Sequence, residues 1–175
     1  GNIGATNVIR VLGKGIGIPV FILDLLKGLV PCLVMQGRGA ESWVLVLTGL
    51  CAILGHMFTP WLGFKGGKGV ATAAGVLLGI APVPMLVALA VWLVFFFGTR
   101  YVSLASMLAG VAVAGTMAVQ MAMSGVWDAV LLGFGIVLAL LVILRHRANI
   151  GRLLAGTEPR SGGKKKAAAG GDADA

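Results

Sequence analysis

Long apolar runs recur along almost the whole chain, and they decide what it can become. They cover residues 16–35, 43–62, 70–81, 84–97, 101–123 and 127–144. A helix needs about 20 apolar residues to cross roughly 30 Å of hydrocarbon, so the first, second, fifth and sixth runs are long enough or nearly so. Composition agrees: 58% of the 175 residues are hydrophobic and only 11% are charged, whereas a soluble domain is roughly half apolar and about a quarter charged. The mean hydropathy is +1.00. An all-α, polytopic integral membrane protein is expected.

The two middle runs are short. Periodicity does not decide whether they are two helices or one helix kinked at Pro82 and Pro84. Charge asymmetry does. If both cross, six crossings place Arg10, Lys14, Lys65, Lys68, Arg100, Arg145, Arg147, Arg152, Arg160, Lys164, Lys165 and Lys166 on one face and Arg38 alone on the other. With a single crossing there, Arg100 and every later basic residue changes side, and the split becomes 4 against 9. The positive-inside bias therefore favours six transmembrane helices with the basic face cytoplasmic.

The formal net charge is +8. Because most basic residues lie between apolar runs, membrane lipid or a small anion is the expected partner, and nucleic acid is not. Cys32 and Cys51 sit inside apolar runs with no metal or redox spacing and read as small hydrophobes. The chain opens without Met on GNIGATN, which is no signal peptide, so upstream sequence is expected. Residues 1–158 form the expected membrane domain. The stretch 159–175, PRSGGKKKAAAGGDADA, has no large apolar residue and is expected to be disordered. Gly75 and Gly79 make a GxxxG pair, expected at a close helix contact.

Polar, glycine-rich segments recur at the ends of the runs that this topology assigns to the cytoplasm. They are GNIGATNVIR (1–10), GHMFTPWLGFKGGKGVAT (55–72), TRYVSLAS (99–106) and RHRANIGRLLAGTE (145–158). Glycine lets the backbone approach a ligand closely, so FKGGKG, with Gly66, Gly67 and Gly69, can turn several N–H donors toward one anion. Lys65 and Lys68 add charge at the start of a helix, whose N-terminus already favours anions. The loop reads either as a phosphate site or as a basic turn obeying the positive-inside rule. It is not a Walker loop, since Lys68 is followed by Gly69 and Val70.

His56 and His146 each lie near a membrane boundary without the partners that zinc needs, so no metal is expected. Asn149 follows His146 by three positions on one helical face, among Arg145, Arg147 and Arg152, so donors for several oxygens converge there. No Asp stands five positions after either His, which excludes a His-plus-Asp acyltransferase. Asp24 and Lys27 share a face inside the first run. A lone mid-bilayer charge costs about 2.5 to 3.5 kcal/mol, so a pair is expected, either structural or with Lys27 reaching the anion site and Asp24 orienting it.

Taken together, GNIGATNxxR, GHxF…FKGGKGVAT, RHxxNIxRLxxGxE, TRYVSL and the Asp24…Lys27-Gly28 segment resemble the bacterial acyl-phosphate-dependent glycerol-3-phosphate acyltransferases, the PlsY family. The resemblance runs from residue 1 to about 158, with its motifs in the family's order. It implies a seven-helix fold in the bacterial inner membrane, six helices of it in this chain, and a cytoplasmic active site. The implied reaction moves a fatty acyl group from acyl phosphate to the 1-hydroxyl of glycerol 3-phosphate. Lysophosphatidic acid and phosphate are the products, and neither cofactor nor oligomer is implied.

Residue by residue, the resemblance makes Gly1, Asn2 and Gly4 a cradle for the acyl-phosphate head, supported by Thr6 and Asn7. Arg10, Lys65, Lys68, His146 and Asn149 bind phosphates and glycerol, while Glu158 orders its loop. The family's first motif opens with a serine before the residue matching Gly1, preceded by a first transmembrane helix; both are absent here. The chain as written is thus expected to lack one functional group. The rival from another class is a transporter or channel for organic phosphates, with Asp24 and Lys27 at mid-membrane. Against it, the charged motifs gather on one face and no inverted repeat is visible.

Overall fold

A computed structural model describes residues 3–162, so Gly1, Asn2 and the stretch 163–175, with Lys164 to Lys166, lie outside the described residues. Among the described residues, the regular elements are all helical. They are α1 (Ala5–Leu12), α2 (Lys14–Gly37), α3 (Ser42–Met57), α4 (Val70–Ile80), α5 (Pro82–Thr99), α6 (Val102–Ser124), α7 (Ala129–Arg145) and α8 (Arg147–Leu154), with one 3-10 turn at Pro60–Leu62. The first polar segment is therefore mostly a short helix, joined to α2 at Gly13, which takes φ +84°.

Four spans are long and apolar enough to cross a bilayer: α2, α3 with its following turn, α5 and α6. The pair α7 and α8, bent by 58°, makes a fifth if counted as one span. At 11 residues, α4 reaches only ~16 Å, so length alone does not carry six crossings. The middle runs are two helices. Ala81 breaks the path with φ −149° and ψ 66°, and Pro82 starts α5 where a helix tolerates proline best.

The short α4 is the most enclosed element, with Thr72, Ala73, Gly75, Val76, Leu77 and Gly79 all buried. Its small residues let it lie almost backbone to backbone on α2. A methyl at Gly75 would strike the Leu25 carbonyl oxygen, one at Gly79 would lie 2.9 Å from Cys32 Cβ, and one at Gly28 of α2 would strike the Thr72 carbonyl. The expected GxxxG contact is thus an α2–α4 contact. Ile53, Met57, Val76, Val113, Met117 and Leu138 fill the centre, while Leu23, Val94, Phe97 and Leu140 point outward, as lipid-facing helices require.

The 38–41 and 125–128 turns meet at one end, where Asp128 hydrogen-bonds Ser42. The C-terminal end of α4 reaches this end too, because Ile80 and Ala81 line one shallow depression with Met121 and Asp128. Being short, α4 then starts part-way into the bundle, and Lys68 and Gly69 at its N-terminus are recessed from the opposite end. The segment beyond α8 returns over that opposite end. There Ser161 exchanges hydrogen bonds with Arg100, its N–H donating to the Arg100 carbonyl at 2.8 Å and its carbonyl accepting from Arg100 Nε at 3.2 Å. Arg160 stacks on Tyr101.

Candidate active site

Three of the polar segments and the start of α6 converge at that recessed end. In α1, Arg10 in the last turn aims its guanidinium at the Pro159 carbonyl, 3.4 Å away. After α3 the chain doubles back, with Gly66 N–H donating to the Met57 carbonyl at 3.0 Å and Gly67 N–H to the His56 carbonyl at 3.2 Å. From the other side Arg145 Nη2 donates to the carbonyls of Gly66 at 3.2 Å and Gly67 at 2.8 Å. Gly69 then caps α4 with φ +77°, a backbone state that suits glycine.

The clamp points Lys68 at α8, where its ammonium donates to Asn149 Oδ1. Asn149 in turn donates through Nδ2 to Glu158 Oε1 at 2.6 Å. Ser103 of α6 donates to the same oxygen at 2.7 Å, and Arg152 Nε to Oε2 at 2.7 Å. Glu158 therefore ties α6, α8 and the following turn together. His146, only 2% exposed, sits at the bend between α7 and α8 with Nδ1 2.7 Å from the Val142 carbonyl. A carbonyl only accepts, so Nδ1 carries the proton and Nε2 keeps its lone pair.

The electrostatics follow from burial. Burial pushes the Lys68 ammonium down to about 8; Glu158 opposes this, while Arg152, Arg10 and Arg145 add to it. Burial also pushes His146 down to about 4, with Lys68 adding to the effect, so the ring is neutral at pH 7. For Glu158, burial works against the charge, but the hydrogen bonds from Ser103, Asn149 and Arg152 outweigh it and hold the carboxyl below its usual value. The cluster is thus a neutral imidazole and an anchored carboxylate around a half-buried cation.

All of this opens into one cavity of about 670 Å³. One end is polar, lined by Gly4, Thr6, Asn7, Arg10, Asp24, His56, Lys68, Gly69, His146, Asn149 and Glu158. The other is apolar and runs between α4, α5, α6 and α7 past Leu77, Met85, Leu89, Trp92, Val113 and Leu138. Such a shape suits a molecule with an anionic head and a hydrocarbon tail. Among the described residues no group of three His, Cys, Asp or Glu side chains is placed to hold a metal ion.

Most of the expected residues meet here, but not all. Lys65 is exposed and does not line the cavity. Gly66 and Gly67 are buried beneath it as the clamped turn. Lys27 also lies off the cavity wall and turns to Asp24 and His56 instead. Gly1 and Asn2 lie outside the described residues. Sequence reasoning passed over His56, which lines the cavity, and left Ser103 inside a segment without a role. A usable signal existed for His56: inside apolar spans, polar side chains must find one another.

Fold and site together define a helical integral membrane protein that brings a largely buried, cation-bearing polar cluster against an apolar chamber. A family model described as glycerol-3-phosphate acyltransferase matches residues 1–156, and the chain belongs to that family. The glycerol-3-phosphate acyltransferase of Aquifex aeolicus (strain VF5) is 48% identical over 161 residues, covering 91% of this chain and 81% of its own. That of Geobacter sulfurreducens is 49% identical over 161 residues, covering 91% and 80%. The crystal structure of PlsY (YgiH), an integral membrane glycerol 3-phosphate acyltransferase, in its glycerol 3-phosphate form superposes with a TM-score of 0.83 at 48% identity, covering 93% of this chain and 79% of that one. Its lysophosphatidic acid form gives 0.82 at 48% identity, covering 93% and 81%.

Proposed function

We propose that this enzyme transfers a fatty acyl group from acyl phosphate to the 1-hydroxyl of glycerol 3-phosphate, releasing lysophosphatidic acid and phosphate. The observation that carries the reading is the single cavity whose polar end holds Lys68, Arg10, His146 and Asn149 and whose other end is hydrocarbon-lined. Two structures of a relative bear the names of glycerol 3-phosphate and lysophosphatidic acid, the acceptor and the product of this reaction.

Acyl phosphate is a mixed anhydride with a good leaving group, so alignment and charge stabilisation are the protein's main tasks. Arg145 and Arg152 are committed to the Gly66 and Gly67 carbonyls and to Glu158. Lys68, Arg10 and Arg147 are the remaining cations on the cavity wall, and Lys68 and Arg10 are assigned to incoming phosphate. The Nε2 lone pair of His146 accepts a hydrogen bond from the 2-hydroxyl of glycerol 3-phosphate and so orients the 1-hydroxyl for attack on the acyl carbon. At a pKa of about 4 that ring is a weak base, so a phosphate oxygen of the substrate takes the proton as the C–O bond to phosphate breaks. Asn149 keeps Lys68 in place for this step.

Six crossings follow if α4 counts as a short crossing helix shielded by α2 and α3. The basic helix ends then lie in the cytoplasm, at the inner face of the bacterial cytoplasmic membrane. A monomer is taken as the working unit. The direct test supplies detergent-purified protein with acyl phosphate and glycerol 3-phosphate. Equimolar lysophosphatidic acid and phosphate are expected, with acyl-CoA inert as donor; no product, or product only in sealed vesicles, overturns the reading.

A further inference from the structure

Beside the glycine loop, three titratable side chains meet that the proposed reaction does not use: Asp24 and His56, on the cavity wall, and Lys27, whose side chain is 43% exposed. Lys27 Nζ lies 2.5 Å from Asp24 Oδ1 and 2.7 Å from His56 Nδ1, while His56 Nδ1 stands 3.3 Å from Asp24 Oδ1. Asp24 is 8% exposed and His56 7%. The ammonium is a donor only, so the short contact to Nδ1 requires a lone pair there and puts the ring proton on Nε2. Lys27 thereby fixes the tautomer of His56, and Asp24 holds Lys27.

The other edge of the ring carries the loop. A methyl built on Gly67 would meet Nε2, Cε1 and Cδ2 of His56, so the imidazole is the floor on which the turn rests. The His56 and Met57 carbonyls hold the Gly67 and Gly66 N–H groups, and Arg145 holds the two glycine carbonyls from above. The next residue is Lys68.

We infer that Asp24, Lys27 and His56 form a positioning unit that seats the 66–69 turn and so sets where the Lys68 ammonium stands in the cavity. Lys27 on this account binds no substrate; it acts through His56, and His56 through the turn. The inference rests on the proposed function for its readout but adds to it residues that act on the reacting groups only through the turn. It also accounts for a lysine and an aspartate inside an apolar span.

The experiment measures kcat/KM for glycerol 3-phosphate against pH in Lys27→Met, His56→Gln and the double variant. Thermal stabilisation by glycerol 3-phosphate is read in parallel. Each single variant is expected to lose about tenfold or more in kcat/KM, with the double variant no worse than the weaker single one, because both act through one turn. Loosening the turn exposes Lys68, which lies among Glu158, Arg152, Arg10, Arg145 and His146, to solvent. The alkaline fall in kcat/KM then moves to higher pH, a change that general destabilisation does not produce. Losses that multiply in the double variant, an unmoved alkaline limb, or Lys27→Met within about twofold of the parent overturn the inference. If Lys27→Met does not fold, His56→Gln, which keeps the net charge, decides on the alkaline limb alone. Wild-type protein without turnover but stabilised by glycerol 3-phosphate counts against the proposed reaction instead, and the variants' loss of that stabilisation then tests the inference.

Discussion

Asn149 accepts a hydrogen bond from Lys68, a residue 81 positions earlier in the chain, and passes the restraint to Glu158 through its amide nitrogen at 2.6 Å. Neither end of the amide is spare. The oxygen faces a cation and the nitrogen an anion, so Asn149 links the glycine loop to the turn after α8.

Replacing Asn149 with Ala removes both bonds and leaves Lys68 and Glu158 each short of a partner. A hydrogen bond to a charged group is worth about 1.5–3 kcal/mol, or roughly tenfold to hundredfold in rate. Steady-state kinetics should show kcat/KM for glycerol 3-phosphate falling by that much. Unchanged kinetics would mean that the Lys68–Asn149 contact has no part in turnover.

Glu158 gives a stability prediction with a definite sign. Its folded pKa is held below the unfolded value, so its contribution is fully present above the unfolded value of about 4.3 and is lost as pH falls through the folded one. Glu158→Gln should cost about 1–3 kcal/mol at pH 7. Melting temperatures in detergent should drop for the variant at neutral pH and converge with those of the parent as acid protonates the carboxyl. A parallel offset at every pH would contradict this.

The Lys68 ammonium, pushed down to about 8 by burial, predicts the alkaline side of the activity profile. Above that pH it loses its proton and a donor to phosphate, so kcat/KM should decline. His146, at about 4, is already neutral through the physiological range and should give no acid limb between pH 5 and 7. In Lys68→Arg the alkaline decline should leave the accessible range, since guanidinium stays charged. A decline persisting unchanged in that variant would assign it to another group.

Much of this was legible in the sequence. Apolar runs and the lopsided distribution of Arg and Lys suffice for an all-α membrane protein, and the motif residues Arg10, Lys68, His146 and Asn149 do come together. The division at Ala81 was legible only through the charge asymmetry, because proline serves equally as a kink or as the first residue of a new helix. Lys65 and Lys68 look alike in FKGGKG; only the clamp on Gly66 and Gly67 decides which of them turns inward. His56 looked solitary because its partner Lys27 lies 29 residues away on another helix.

The glycine pair in α4 can be tested by its packing. Gly75→Ala places a methyl against the Leu25 backbone carbonyl, which has no flexible side chain to move aside. Overpacking of this kind costs about 1–3 kcal/mol. The variant should melt several degrees lower in detergent, whereas Gly115→Ala, in open space on α6, should leave the melting temperature unchanged or raise it slightly, since alanine suits a helix interior better than glycine. Equal behaviour of the two would remove the α2–α4 contact from the account.

The central claim is that the cationic helix ends meet as one pocket on the cytoplasmic side, and site-directed labelling in intact bacteria tests it most directly. In a Cys51→Ser background, cysteines replacing exposed Trp61, near the glycine loop, and exposed Leu154, in α8, are treated with a membrane-impermeant maleimide. Both should resist labelling in whole cells and react once the membrane is opened. Labelling of the Leu154 position from outside, with the Trp61 position still protected, would put the two halves of the pocket on opposite sides of the membrane and contradict the account.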